Sequence, residues 1–151
     1  MSLRVLRSAD RVRAMEIDLA LLADAATIDG SGKLSILGIF DRIGTSLFPA
    51  RHPRMVLVLR FIAALNETGT HQIAIMLKDP AGKDVVGADG EMQLGPGPAG
   101  GAGGIRVPHV LHLDGLVFPV PGRYAFDVRV DGEHHASVPL TVYGPESSAV
   151  A

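Results

Sequence analysis

The sequence predicts an all-β fold: a two-sheet antiparallel sandwich of about eight strands, immunoglobulin-like or jelly-roll-like. Three observations predict it. Apolar and polar residues alternate over runs of roughly seven to ten residues, the period of a pleated strand. Turn chemistry separates these runs, chiefly Asp29-Gly30, Asp79-Pro80, Pro121-Gly122 and Asp131-Gly132. No amphipathic helical run of about ten residues follows residue 15.

The elements are justified in order. Residues 1–14 show no apolar face and read as a disordered leader or a misassigned start, with Met15 opening the folded domain, residues 15–143. The first strand is Glu16–Ala25, with Ile17, Leu19, Leu21 and Ala23 on one face and Asp18 and Asp24 on the other. Lys33–Phe40 is the second, and Gly38 within it suggests a bulge. Phe48-Pro49-Ala50-Arg51-His52-Pro53 reads as a rigid crossover. Met55–Ala64 is apolar on both faces except at Arg60, so it reads as a central strand covered on both sides.

His71–Lys78 alternates through Ile73, Ile75 and Leu77. Val85–Leu94 is a weaker strand, interrupted by Gly87 and Asp89-Gly90. Residues 95–104, all Gly, Pro and Ala, read as a flexible loop. Ile105–Phe118 follows, expected to break at Pro108 or Gly115. Arg123–Val130 turns Tyr124, Phe126, Val128 and Val130 inward, and Asp131-Gly132 is a strong hairpin signal. His134–Tyr143 turns Ala136, Val138, Leu140 and Val142 inward, and residues 144–151 read as a disordered tail. Pro121-Gly122-Arg123-Tyr124 resembles the corner that enters a late immunoglobulin strand, where a Tyr hydroxyl bonds back to the corner backbone.

Composition bounds the function. The 151 residues are 47% apolar, enough for a real core, but aromatics are only 5% and Trp is absent. Such a chain offers few stacking platforms for sugars or single-stranded nucleic acid. Residues 1–14 carry Arg4, Arg7, Arg11 and Arg13 against Asp10, a net +3, which leaves −5 for the rest of a chain of net −2. A mildly acidic body lacks the basic stripe that nucleic acid requires. The absence of Cys excludes disulfides and thiolate metal sites. No apolar stretch reaches membrane-spanning length, and Ile17–Ala26 carries Asp18 and Asp24, which a signal peptide would not tolerate. The expected location is the cytoplasm, with no nucleic-acid and no membrane partner.

Motifs for catalysis fail on context. Gly95-Pro96-Gly97-Pro98-Ala99-Gly100 matches G-x-G-x-x-G, but more glycine follows where a helix should receive the pyrophosphate. Asn66-Glu67-Thr68 is turn chemistry. His109 and His112, and the adjacent His134 and His135, fall on opposite faces of a regular strand, so neither pair chelates one metal alone. A site shared between His109, one of His134 and His135, and a carboxylate ranks last. Asp18 and Asp24 stand about 20 Å apart on a regular strand, against roughly 5–10 Å for paired glycosidase carboxylates. No catalytic, cofactor-binding or metal-ligating residue is assigned, and no cofactor is expected.

The order of motifs carries a resemblance. Leu21-Leu22-Ala23-Asp24-Ala25-Ala26 leads into Gly32-Lys33-Leu34-Ser35-Ile36-Leu37-Gly38-Ile39-Phe40-Asp41. Phe48-Pro49-Ala50, His52-Pro53, Val58-Leu59-Arg60-Phe61 and Pro121-Gly122-Arg123-Tyr124-Ala125-Phe126 follow, with Asp131-Gly132. The set resembles an uncharacterised family of small bacterial β-sandwich proteins, a domain of unknown function, from about residue 15 to 143. The resemblance implies a bacterial β-sandwich and no activity. The leading expectation is a non-enzymatic interaction or structural module whose partner is another protein or a second copy of itself. The alternatives are a small-molecule or glycan-binding module and, behind it, a histidine-based metal enzyme.

Overall fold

A computed structural model describes residues 15–95 and 105–145. The expectations for residues 1–14, for 96–104 of the loop and for 146–151 of the tail lie outside the described residues. The described residues form nine strands: β1 (Glu16–Ile28), β2 (Leu34–Phe40), β3 (Arg42–Gly44), β4 (Ala50–Ala63), β5 (Gly69–Lys78), β6 (Asp84–Leu94), β7 (Ile105–Phe118), β8 (Gly122–Val130) and β9 (Glu133–Tyr143). They make two sheets, a four-stranded one in the order β2-β1-β4-β7 and a five-stranded one in the order β3-β9-β8-β5-β6.

The predicted two-sheet sandwich is therefore present, with two corrections. The short β3 is a ninth strand, and it pairs with β9 in parallel. The chain passes from one sheet to the other at Asp41, where the Thr141 amide donates to the Asp41 carbonyl at 2.9 Å. The strand order is immunoglobulin-like. β4 to β9 follow as strands B, C, C′, E, F and G, and β2 with β3 form a split first strand. β1 is the addition, wedged between β2 and β4 and paired with both.

Alternation builds the core. Leu57, Leu59 and Phe61 of β4 meet Ile75 and Leu77 of β5, Phe126 and Val128 of β8, and Leu140 of β9. The corner residue behaves as expected: the Tyr124 hydroxyl donates to the Val120 carbonyl at 2.7 Å and accepts from the Val120 amide at 3.2 Å. Its ring packs edge-on against Phe118 at 5.0 Å. Asp131 and Gly132 take φ of 51° and 84°, the two positive values of a type I′ turn.

Four local readings change. β1 carries a register shift between Ile17 and Leu19, so Ile17 joins Ala20 and Leu22 against the inner core while Leu19, Leu21 and Ala23 face outward. β4 begins at Ala50, so His52 and Pro53 belong to a strand rather than to a crossover. β6 and β7 run unbroken, because their glycines and Pro108 lie on edge strands, where one side of the backbone needs no partner. Gly38 makes no bulge: the β1–β2 register is constant across it, although its φ is +73°.

Candidate functional site

Among the described residues, strand order leaves four edges, β2 and β7 in one sheet and β3 and β6 in the other. An edge presents unpaired amides and carbonyls, and proteins commonly blunt edges with charge, proline or brevity. β6 carries Asp84, Asp89 and Glu91 and no basic residue. β7 carries Pro108, which has no amide to donate, together with Arg106 and Asp114. β3 is three residues long. β2, Leu34-Ser35-Ile36-Leu37-Gly38-Ile39-Phe40, has no charge and no proline. Two of its large side chains stand in solvent, Leu37 at 71% exposure and Ile39 at 64%.

The geometry of β2 turns on its pairing with β1. Leu22 and Phe40 lie opposite one another and pack against the inner core. Four residues along each strand, Ala26 and Ile36 pair but pack with the outer cluster around Val56 and Val58. Regular alternation would keep residues four apart on one face. The face changes at the intervening pair, Asp24 and Gly38. A β-carbon on Gly38 would lie 2.3 Å from the Asp24 Oδ2, so the carboxylate occupies the space that glycine leaves. Beside this pair, Phe40, Arg42 and His52 line an open notch. The Arg42 guanidinium lies over the Tyr143 ring at 5.1 Å.

A second concave feature lies on the opposite side of the sandwich, between β6 and β7. There the sheets part over a slot of about 240 Å³, walled by Phe61, Ile73, Ile75, Met92 and Leu111. It stays open because the β6 residues opposite Ile73 and Ile75 are Gly90 and Ala88, too small to fill it. His109 stands at the mouth, and loss of water against the apolar walls pushes its imidazole below the usual histidine range. Glu91 accepts from Gln72 Nε2 at 3.0 Å, away from the inward-facing Ile73. The slot is smaller than the roughly 300–1,000 Å³ of common ligand pockets.

The remaining polar groups are tied into the scaffold. Arg60 and Asp18 form a two-pronged pair at 2.9 Å for each contact. The largely buried Asp127 accepts from Arg129 Nε at 3.0 Å and meets His134 Nε2 at 2.9 Å. His71 meets the Asp131 carboxylate through Nδ1 at 2.7 Å and the Glu67 carbonyl through Nε2 at 2.6 Å. Two acceptors on one ring favour the imidazolium, which alone can donate from both nitrogens. The Asp131 carboxylate first, then the Glu67 carbonyl, hold His71 above the usual histidine range. His71 first, then the Gln72 amide, hold the Asp131 carboxyl below the usual carboxylate range.

The stability linked to His71 is complete below its unfolded value of about 6.5 and is lost as pH rises through the raised folded value. That linked to Asp131 is complete above about 3.9 and is lost as pH falls through its depressed value. The melting temperature should thus decline on the alkaline side of about pH 6.5. A melting series from about pH 5 to about pH 9 should show that decline in the wild type and a flatter profile in His71→Gln. Superimposable profiles would remove the ion pair from the account.

The histidines do not converge. His109 faces the slot, whereas His112 pairs with the outward-facing Val56. His134 reaches Asp127, and His135 Nδ1 lies 2.9 Å from the Glu133 carbonyl. Among the described residues no three His, Asp or Glu side chains are grouped to hold a metal ion. Sequence reasoning passed over both surface features. The lack of charge in Leu34–Phe40 was visible, but nothing local marked that run as an edge.

The model of a family of unknown function, DUF6941, matches residues 18–143. A search of the curated proteins finds no match. Among solved structures, an immunoglobulin-like protein from Pseudomonas aeruginosa aligns at 13% identity and a TM-score of 0.40, over 87% of this chain and 98% of that one. An alkylpurine DNA glycosylase from Pseudomonas fluorescens, bound to DNA containing an abasic site analog, aligns at 11% identity and a TM-score of 0.46. That match takes in 86% of this chain but only 30% of the glycosylase.

Proposed function

The chain belongs to the DUF6941 family, whose function is unknown, and on that premise we propose that it is a non-enzymatic interaction module that receives an extended segment of another chain along β2. One observation carries this reading: β2 is an uncharged apolar edge, while β3, β6 and β7 carry brevity, acidic charge or proline. Strand addition draws affinity from main-chain hydrogen bonds and specificity from alternate side chains. β2 offers both, with Leu37 and Ile39 as the apolar contacts. Protein partners and a cytoplasmic setting are part of the same proposal.

The slot at His109 favours a second reading, a small apolar ligand held between the sheets. An acetylated seven-residue peptide of alternating threonine and valine, titrated into dilute isotope-labelled protein, separates the two. Amide shifts confined to β2 are the expected result. Shifts along β6 or β7 instead, or none, would overturn the β2 reading.

A further inference from the structure

The slot at His109 continues beyond its widest part. A second, narrower apolar hollow of about 60 Å³ adjoins it and shares Ile75, Ala88 and Leu111 with it. The two run along β5 from Ile73 through Ile75 to Leu77, about 14 Å at the rise of an antiparallel strand. The β6 residues across from these three explain the shape. Gly90 is opposite Ile73, Ala88 opposite Ile75 and Val86 opposite Leu77, so the hollow is wide at the glycine end and tapers as the β6 side chains grow. Leu113, Leu116 and Phe126 close the narrow part.

One polar side chain, His109, faces this hollow. Asp89 and Glu91 border the wide part, but they alternate with Ala88, Gly90 and Met92, which puts their carboxylates on the outer face of β6. Among the described residues no lysine or arginine lines either part. Desolvation moves the His109 titration downward. Its neutral form therefore predominates at about pH 7, and a neutral imidazole offers one donor and one acceptor. An ionised head group beside it would lose water and gain no counter-charge. Apolar walls that meet no atoms forfeit packing, which an apolar chain restores. A compact ring system would fill the wide end and leave the taper empty.

We propose that this hollow binds one unbranched aliphatic chain of about ten carbons, which spans its length when fully staggered, with an uncharged hydroxyl at His109 and the tail toward Phe126. The ligand class is a medium-chain alcohol. This rests on the reading of the slot as a small-molecule site and is independent of the reading of β2.

Straight-chain alcohols from hexanol to dodecanol, titrated into methyl-labelled protein below their solubility limits, test it. The methyl groups of Ile73, Ile75, Leu77 and Leu113 should shift with decanol, while those of Leu37 and Ile39 on β2 should not. Affinity should rise about fourfold per added methylene up to about ten carbons and level off beyond. Decanoate, with the same tail and a charged head, should bind at least tenfold more weakly. Ala88→Leu, which fills the middle of the hollow from an edge strand, should weaken decanol at least tenfold and keep the wild-type melting temperature. The chain-length series is read on the wild type and does not depend on that variant folding.

Decanol shifts absent from these methyl groups would overturn the proposal, as would an affinity that does not grow with chain length. If the compact probe adamantanol shifts Ile73 while the alcohols show no such growth, the slot remains a small-molecule site and the aliphatic chain is wrong. If neither probe shifts it, both readings of the slot fail together. Decanoate binding as tightly as decanol would overturn the uncharged head. Decanol binding undiminished in a folded Ala88→Leu would overturn the placement. Shifts here with the threonine–valine peptide but not with decanol would make the opening a peptide edge and overturn the alcohol site.

Discussion

Leu57→Ala should destabilise the protein by about 2–5 kcal/mol, and Val58→Ala, on the opposite face of the same strand, by about 2 kcal/mol. Both side chains are completely buried. Leu57 packs between the sheets, where truncation leaves a cavity that its neighbours cannot close. Val58 faces outward, where a sandwich strand is commonly solvated. Here it sits under Ala23, Leu19, Leu21 and Val110, contributed by β1 and β7 on either side. Against a typical stability of roughly 5–15 kcal/mol, either loss is large. Leu47→Ala, at a solvent-exposed position, should stay within about 0.5 kcal/mol. Denaturant titrations of the three variants make the comparison. A negligible effect at Val58 would show that the outer face of β4 is open.

Gly38→Val should cost at least about 1–3 kcal/mol from its backbone alone, because a β-branched residue is strained at φ +73°. The side chain adds a second penalty, since its β-carbon would fall 2.3 Å from the Asp24 carboxylate. The two terms can be separated. Asp24→Ala removes the two closest contacts, those to the carboxylate oxygen and carbon, keeps the β-carbon at 3.1 Å, and leaves the dihedral angle untouched. Gly38→Ala should therefore cost less in the Asp24→Ala background than in the wild type, a coupling of about 0.5–3 kcal/mol. Additive effects would mean that the glycine is required for its backbone alone, and that the face change of β1 and β2 does not depend on Asp24.

Much of the scaffold was legible because its signals are local. The period of two in Arg123–Val130 and His134–Tyr143 fixes their inner faces, and those residues are buried as expected, Ala136 only partly. Asp131-Gly132 sets a turn because glycine takes positive φ without strain. Tyr124 reaches a backbone only four residues away. The misreadings have local causes too. One extra residue near Asp18 shifts a face, which alternation cannot show, and Pro53 looks like a strand breaker because proline is rare in strands. β3 has only three residues, too few to display a period.

The candidate site was a different matter. Residues 34–40 show no charge, and Gly87, Ala88 and Gly90 are small, and both facts are plain in the chain. Their meaning depends on which strands lie beside them. β1 enters between β2 and β4, which sends β2 to an edge, and β6 and β7 finish opposite sheets on the same side, which opens the slot. By itself the sequence determined the strands, their turns and most of their inward faces, because alternation and turn chemistry act over a few residues. Only the tertiary structure decided neighbours, edges and the cover over Val58, because strand partners are chosen by packing between segments dozens of residues apart.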